Sequence, residues 1–453
     1  MNTQNENKMA TMPINKLLLS MALPMVISML VQALYNIVDS IFVAMINQNA
    51  LTSVSLAFPL QTFMISMGMG IGVGMNALLS RCLGANDKKG VKDSALNGIF
   101  IMIFVYIIFL IIGIFSVEPF MRSQTENEDI VLGGVKYLKV ICICSFGLFT
   151  QVTFERLLQS TGKTIFTMIT QSTGAVINII LDPIFIFGLG PIPKMGITGA
   201  AVATVIGQCI AGCIAVFFNL KKNHEIDFSF KGFKPCPTTI KNILAVGIPS
   251  IIMASVGSVM TYGMNKILLS FENIGEDAAT VFGIYFKLQS FIFMPVFGLN
   301  NGMVPIVAFS YGAKNSKRLL SVVKLSMLYA VAMMITGCIV MQLIPAQLLG
   351  IFKASDSLIK IGVPALRTIS IHFVVAGVCI ICLSVFQALG HGIISMIVSL
   401  TRQIVFLLPS AYLLSLTGNV NNVWFAFLIA EVASLTLSLV FFARIHKSVI
   451  SKL

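Results

Sequence analysis

Apolar residues fill this chain in runs of about 20 or more, each closed by a short polar break, and the rhythm holds from residue 15 to residue 444. A run of that length crosses roughly 30 Å of hydrocarbon as a helix. Lipid offers no hydrogen bonds to an unpaired backbone, so the runs imply helices and not a barrel. The pattern predicts six spans near 15 to 45, 51 to 80, 93 to 117, 131 to 155, 161 to 188 and 197 to 219. Six more follow near 239 to 270, 278 to 308, 318 to 344, 358 to 386, 391 to 416 and 422 to 444. The opening "MNTQNENKMATMPINK" is polar and lacks a signal-peptide pattern, so the first span is expected to remain as a helix.

The two sets of six are versions of each other. "LGANDKK" from Leu83 matches "YGAKNSK" from Tyr311, and "LLQSTGKTIFTMI" from Leu157 matches "VFQALGHGIISMI" from Val385, both at an offset of 228. Gln61 pairs with Gln289, Phe63 with Phe291, Gly70 with Gly298 and Gly74 with Gly302 at that same offset. Pro24 and Pro249 open the two sets at an offset of 225, and the loop containing "ENIGED" takes up the difference. Six is even, so both halves insert in the same orientation, as parallel repeats about an axis along the membrane normal with a central cleft between them. The expected organisation is a tail at 1–14, a first lobe at 15–219, a linker at 220–238, a second lobe at 239–446 and a tail at 447–453.

Composition agrees with an all-α integral membrane protein: 57% of the residues are hydrophobic, 10% are charged and the mean hydropathy is +0.93. The net charge of +13 does not point to nucleic acid, because Lys and Arg sit on alternate loops, twenty on one side and seven, Lys353 among them, on the other. That asymmetry places both termini in the cytoplasm. Cysteine and histidine are scattered and form no catalytic constellation, "CIIC" from Cys379 reads as packing, and no GxxxxGK[ST] loop is present.

Chemistry therefore has to come from polar residues inside the spans. An ionised Asp at a helix centre costs about 2.5 to 3.5 kcal/mol on insertion scales. Of 17 acidic residues, Asp39, Asp182 and Glu431 lie well inside, with Glu155 near a span end. Ser28, Gln32, Tyr35, Asn36 and Asp39 form one stripe of the first span, and Gln171, Gly174, Asn178 and Asp182 form another on the fifth. The second half has Met264 and Ser410 where the first has Asp39 and Asp182, so the repeat is symmetric in shape and not in charge. Each Asp reads either as a helix cap, with Asp182 before Pro183 as a turn initiator, or as part of an ion site whose two carboxylates titrate as a pair. Pro24 and Pro249 read as kinks or as hinges. Lys266 and Lys287 are open between a structural and a pathway role, and Glu431 between helix packing and a C-terminal cavity.

With these residues in place the chain resembles the multidrug and toxic compound extrusion (MATE) family. "LPM" in the first span, "YNIVDSIFVA", "SRCLGANDKK", "QSTGK" and "INIILDPIFIFGLGPIPKMGITGAAVATVIGQ" carry the resemblance, which runs from about residue 14 to 446. It is similar to the bacterial DinF-like and MepA-like branch, whose membrane aspartates lie in the N-terminal half; the tenth span lacks the acid of the NorM-like branch. The resemblance implies a non-enzymatic antiporter, monomeric, in a bacterial plasma membrane, that expels amphipathic and often cationic compounds against inward H+ or Na+, with no other cofactor. It maps the cation site onto Asp39, Asn178 and Asp182 (the metal ligands if the ion is Na+), with Tyr35 and Asn36 near and Thr204, or as second choice Thr198, completing it. It also puts the bend of the first helix at Pro24. The runner-up is a flippase for lipid-linked precursors or polysaccharides.

Overall fold

Almost every residue between the breaks closes into helix, because nothing else satisfies the backbone of an apolar run. The computed structural model describes residues 7–188, 190, 192–272, 274–352 and 354–453; the first six residues of the expected tail and Lys353 lie outside the described residues. The first half holds α1 (Lys8–Thr11), α2 (Ile14–Ala44), α3 (Gln48–Gly84), α4 (Lys88–Phe115), α5 (Val117–Arg122), α6 (Glu128–Ile143), α7 (Phe146–Ser160), α8 (Thr164–Phe187) and α9 (Ile197–Lys222). The second holds α10 (Pro237–Leu269), α11 (Gly275–Gly312), α12 (Ser316–Leu343), α13 (Pro345–Ile351), α14 (Asp356–Ser370), α15 (Phe373–Ala388), α16 (Gly392–Leu400), α17 (Leu408–Ser415), α18 (Val420–Val423) and α19 (Phe425–Ser448).

Among the described residues ten helices are long and apolar enough to cross a membrane, and twelve spans result if each of two bent pairs counts as one. The bent pairs are the expected fourth and tenth spans: α6 and α7 meet at 45°, α14 and α15 at 47°. At each bend a side chain joins a backbone N–H on a carbonyl of the last turn before the break. Ser145 Oγ donates to Cys142 O at 2.7 Å, and His372 Nδ1 lies 2.5 Å from Ile369 O. The expected eleventh span is also irregular, with a π turn over Thr401–Leu407 between α16 and α17.

The sequence repeat is a repeat of backbone geometry. Asn86 and Lys314 have φ of 55° and 54°, and Gly162 and Gly390 have φ of 84° and 89°, each pair separated by 228 residues. After the first of these turns Asp87 caps α4 by accepting from Gly90 N at 2.9 Å, and Asn315 caps α12 by accepting from Arg318 N at 2.9 Å.

The halves meet through glycine. A Cβ on Gly74 would stand 2.1 Å from Ile243 O, which brings α3 onto α10, and one on Gly302 would stand 2.7 Å from Ala22 Cα, which brings α11 onto α2. At the helix ends a Cβ on Gly84 would lie 2.0 Å from Phe309 O, and one on Gly312 1.9 Å from Arg81 O. Arg156 Nη1 bridges Gln159 Oε1 at 2.8 Å and Asn301 Oδ1 at 3.2 Å across the same seam. The N-terminal segment crosses it as well: Asn7 Nδ2 donates to Thr161 O at 3.0 Å, while Arg318 Nη2 donates to Met12 O at 2.7 Å. All these contacts lie at the end of the molecule that carries both termini.

Pro24 does not break α2, which runs as helix from Ile14 to Ala44. Proline lacks the N–H that would bond four residues back, so the Ser20 carbonyl loses its ladder partner. Thr164 Oγ1, the first residue of α8, donates to that oxygen at 3.4 Å. In the second half Pro249 frees Ala245 O, and the residue at the matching place is Gly392, whose missing Cβ would stand 2.9 Å from it.

Candidate functional site

Two polar stripes in one half matter only if the fold brings them together, and small residues arrange that. A Cβ on Gly207 would lie 2.8 Å from Gly174 O, so α9 packs backbone to backbone against α8. One turn further along α8, Asn178 then reaches Thr204 of α9. With its amide turned to satisfy both neighbours, Asn178 donates to Asp182 Oδ2 at 2.9 Å and accepts from Thr204 Oγ1 at 3.2 Å and Thr204 N at 3.0 Å. Asp182 is 0% exposed, Asn178 2% and Thr204 4%.

From the other side α2, packed along α8, brings the Asp39 carboxyl beside that of Asp182. The Tyr35 hydroxyl faces Thr204. Asp39 Oδ1 is buried with no hydrogen-bond partner, an acceptor left open. No Lys, Arg or His of the described residues pairs with either carboxyl. Two acids with hydroxyls close by and no built-in cation among the described residues suit a proton or a hard monovalent cation, either of which relieves the repulsion; the Asn178 oxygen is already taken up by Thr204.

Asp39, Asp182, Asn178, Tyr35 and Thr204 thus converge. Asn36 is exposed on α2, and Thr198 sits at the start of α9; neither side chain hydrogen-bonds to the pair. The capping alternative for Asp182 does not hold: α8 continues through Pro183 to Phe187 and ends at Gly188, with φ of 76°. Two residues near the pair escaped the sequence reading in this role. Tyr137 of α6, close to the pair, donates its hydroxyl to Gln61 Oε1 of α3 at 3.2 Å. Gln61 stood out only as a repeat position, and Tyr137 comes from the bent pair, whose inward face a helical period does not define.

The remaining intramembrane charges have partners. Glu155 accepts from Gln151 Nε2 at 3.0 Å, Thr170 Oγ1 at 3.0 Å and Gln171 Nε2 at 2.8 Å. Lys266 and Lys287 are exposed, with Nζ 5.9 Å from the Tyr262 ring centre and 5.8 Å from that of Phe352. Glu431 pairs with Arg402, a cation on neither side of the loop count. Around them Phe282, Tyr285, Phe286, Phe293, Phe373 and Phe427 form a contiguous aromatic cluster in the second half.

A protein-family model described as MatE matches residues 24–184 and 240–413, covering most of both halves and all of the acid pair. The chain is 25% identical over 418 residues to the multidrug export protein MepA of Staphylococcus haemolyticus, covering 92% of this chain and 90% of that one. It is similar in structure, at 24% identity and a TM-score of 0.92 over 100% of both chains, to an outward-facing multidrug resistance MATE transporter of the MOP superfamily. A MOP superfamily transporter from Pyrococcus furiosus, described as having a binding pocket of reverse polarity and a different function, gives a TM-score of 0.91 at 24% identity, over 98% of this chain and 99% of that one.

Proposed function

The chain belongs to the MatE family, and on that premise we propose that it is a secondary active exporter of amphipathic, often cationic, small organic compounds, driven by antiport with H+ or Na+. The observation that carries this reading is the Asp39–Asp182 pair, in which Asp182 and the Oδ1 atom of Asp39 are buried, that oxygen is an open acceptor, and no counter-cation pairs with either carboxyl among the described residues. Such a site is stable only while something positive occupies it, which ties its occupancy to conformation. The export function of its MepA relative supports the nature of the cargo.

Both termini are placed in the cytoplasm of a bacterial cell, with the protein in the plasma membrane as a monomer. The sealed end is then the cytoplasmic one and the cleft opens outward, as in the outward-facing relative. An ion arriving from outside neutralises the pair, draws α2 towards α8 and bends α2 where Pro24 has already weakened its ladder. The cleft narrows on the bound compound and releases it, and rocking of the halves returns the site inward. Cargo is held by apolar and aromatic area between the halves, without chemical conversion.

Proteoliposomes with an imposed pH gradient, an imposed Na+ gradient, or neither, test the reading. Dye accumulation is expected under one gradient and not in its absence. Equal transport under all three conditions would refute antiport.

A further inference from the structure

One turn from Met264, the residue that matches Asp39, the second half is polar too, but there the charges cancel. By the repeat offsets Tyr35 corresponds to Met260 and Gln61 to Gln289. Those two residues line a cavity of about 60 Å3 together with His372, Arg402, Gln403 and Glu431, room for a few waters and for no drug-sized compound. Glu431 is 3% exposed. Its Oε2 accepts from Arg402 Nη1 at 3.2 Å, and its Oε1 is buried without a partner.

Arg402 reaches this place from the π turn, on the helix that corresponds to α8, at the position equivalent to Gly174. Its other nitrogens make no hydrogen bond among the described residues. A carboxylate and guanidinium in their preferred geometry form two parallel bonds. Here one bond is made and one acceptor is left open, so the guanidinium occupies the site without being locked to it.

We propose that Arg402 is a tethered cation: its guanidinium permanently fills a cation site around Glu431, so the second half takes no ion from solution. That the Asp39–Asp182 pair is then the one site taking up an ion rests on the function proposed above. Without the arginine, Glu431 is an uncompensated buried carboxylate and should recruit a small monovalent cation, guanidinium best of all.

The test is thermal unfolding of the purified Arg402→Ala protein in an Asp39→Asn/Asp182→Asn background, which silences the first site. Millimolar guanidinium chloride should raise the Arg402→Ala midpoint by several degrees. Choline chloride at equal ionic strength should not, and the same background with Arg402 intact should respond to neither. The response should vanish in Arg402→Ala/Glu431→Gln. A midpoint indifferent to guanidinium and Na+, or a response that survives Glu431→Gln, overturns the proposal. Should Arg402→Ala fail to fold, the charge-free Arg402→Met/Glu431→Gln protein with both aspartates intact decides: the ion-to-substrate ratio should equal that of wild type, and loss of one ion per cycle would make Glu431 a coupling site. The unfolding readout requires no transport, so failure of the antiport reading leaves it interpretable.

Discussion

Asp39 and Asp182 lie side by side with no counter-cation among the described residues, so the two carboxyls are expected to act as one unit. Asp39→Asn and Asp182→Asn are each expected to abolish energised dye efflux while keeping shape and expression. The double variant should be no worse than either single one, because residues acting as a unit are not additive. Losses that multiply across the cycle would separate the two residues. Asp39, Asn178 and Asp182 were legible in the sequence because a carboxylate inside an apolar run is rare and helical spacing fixes its face. Arg402 was not: the π turn of Thr401–Leu407 shifts the face on which it lies.

Helices of this protein were legible to within a few residues, since each starts and stops at polar breaks such as Asp87 or Asn315. The bends were not, because a hydropathy pattern runs on unchanged through Cys144–Ser145 and Ile371–His372, where the helical ladder breaks. The contact of α8 with the freed Ser20 carbonyl gives a prediction at this scale. Thr164→Val keeps the volume and leaves that oxygen unpaired; it should lower stability by about 1 kcal/mol, read from unfolding in detergent. The linker gives another. Lys92 Nζ donates to Asp227 Oδ2 at 2.6 Å, tying α4 to the linker. This bond, and that from Ser229 N, hold the Asp227 carboxyl below its ordinary value of 3.8. A depressed folded value means the tie is fully present above that ordinary value and is lost as pH falls through the lower one. Protease cleavage at 223–236 should therefore stay slow from neutral pH down to about pH 4 and accelerate below it; Asp227→Asn should be cut faster at neutral pH.

At the scale of the whole molecule the seam between the halves is built from backbone. A glycine in a sequence does not name the helix that lies against it, so the repeat was readable and the pairing of α3 with α10 and α11 with α2 was not. Gly84→Ala and Gly312→Ala each place a methyl about 2 Å from an opposing carbonyl, closer than any real contact. Neither variant can close the terminal end as found here. Each should shift the population towards the opposite state, seen as increased labelling, by an impermeant thiol reagent, of single cysteines introduced into the seam. Because the two glycines occupy equivalent places, their effects should be of similar size. A wild-type labelling pattern in both would mean that closure does not depend on this crossing.

Pro183 follows Asp182 directly, and an unbroken helix at that point has a consequence for coordination chemistry. Its missing N–H leaves the carbonyl of Ile179 without a ladder partner, one residue beyond Asn178. A cation shedding its hydration shell needs several oxygens at once, whereas a proton needs one. A carbonyl without its ladder partner is one more oxygen in the turn that carries Asn178 and Asp182, which proton transfer does not need. Pro183→Ala restores the amide and withdraws that oxygen, so Na+-driven transport, where it exists, should need a several-fold higher Na+ concentration while proton-driven transport is unchanged. The ratio of those two changes reports which ion the helix serves.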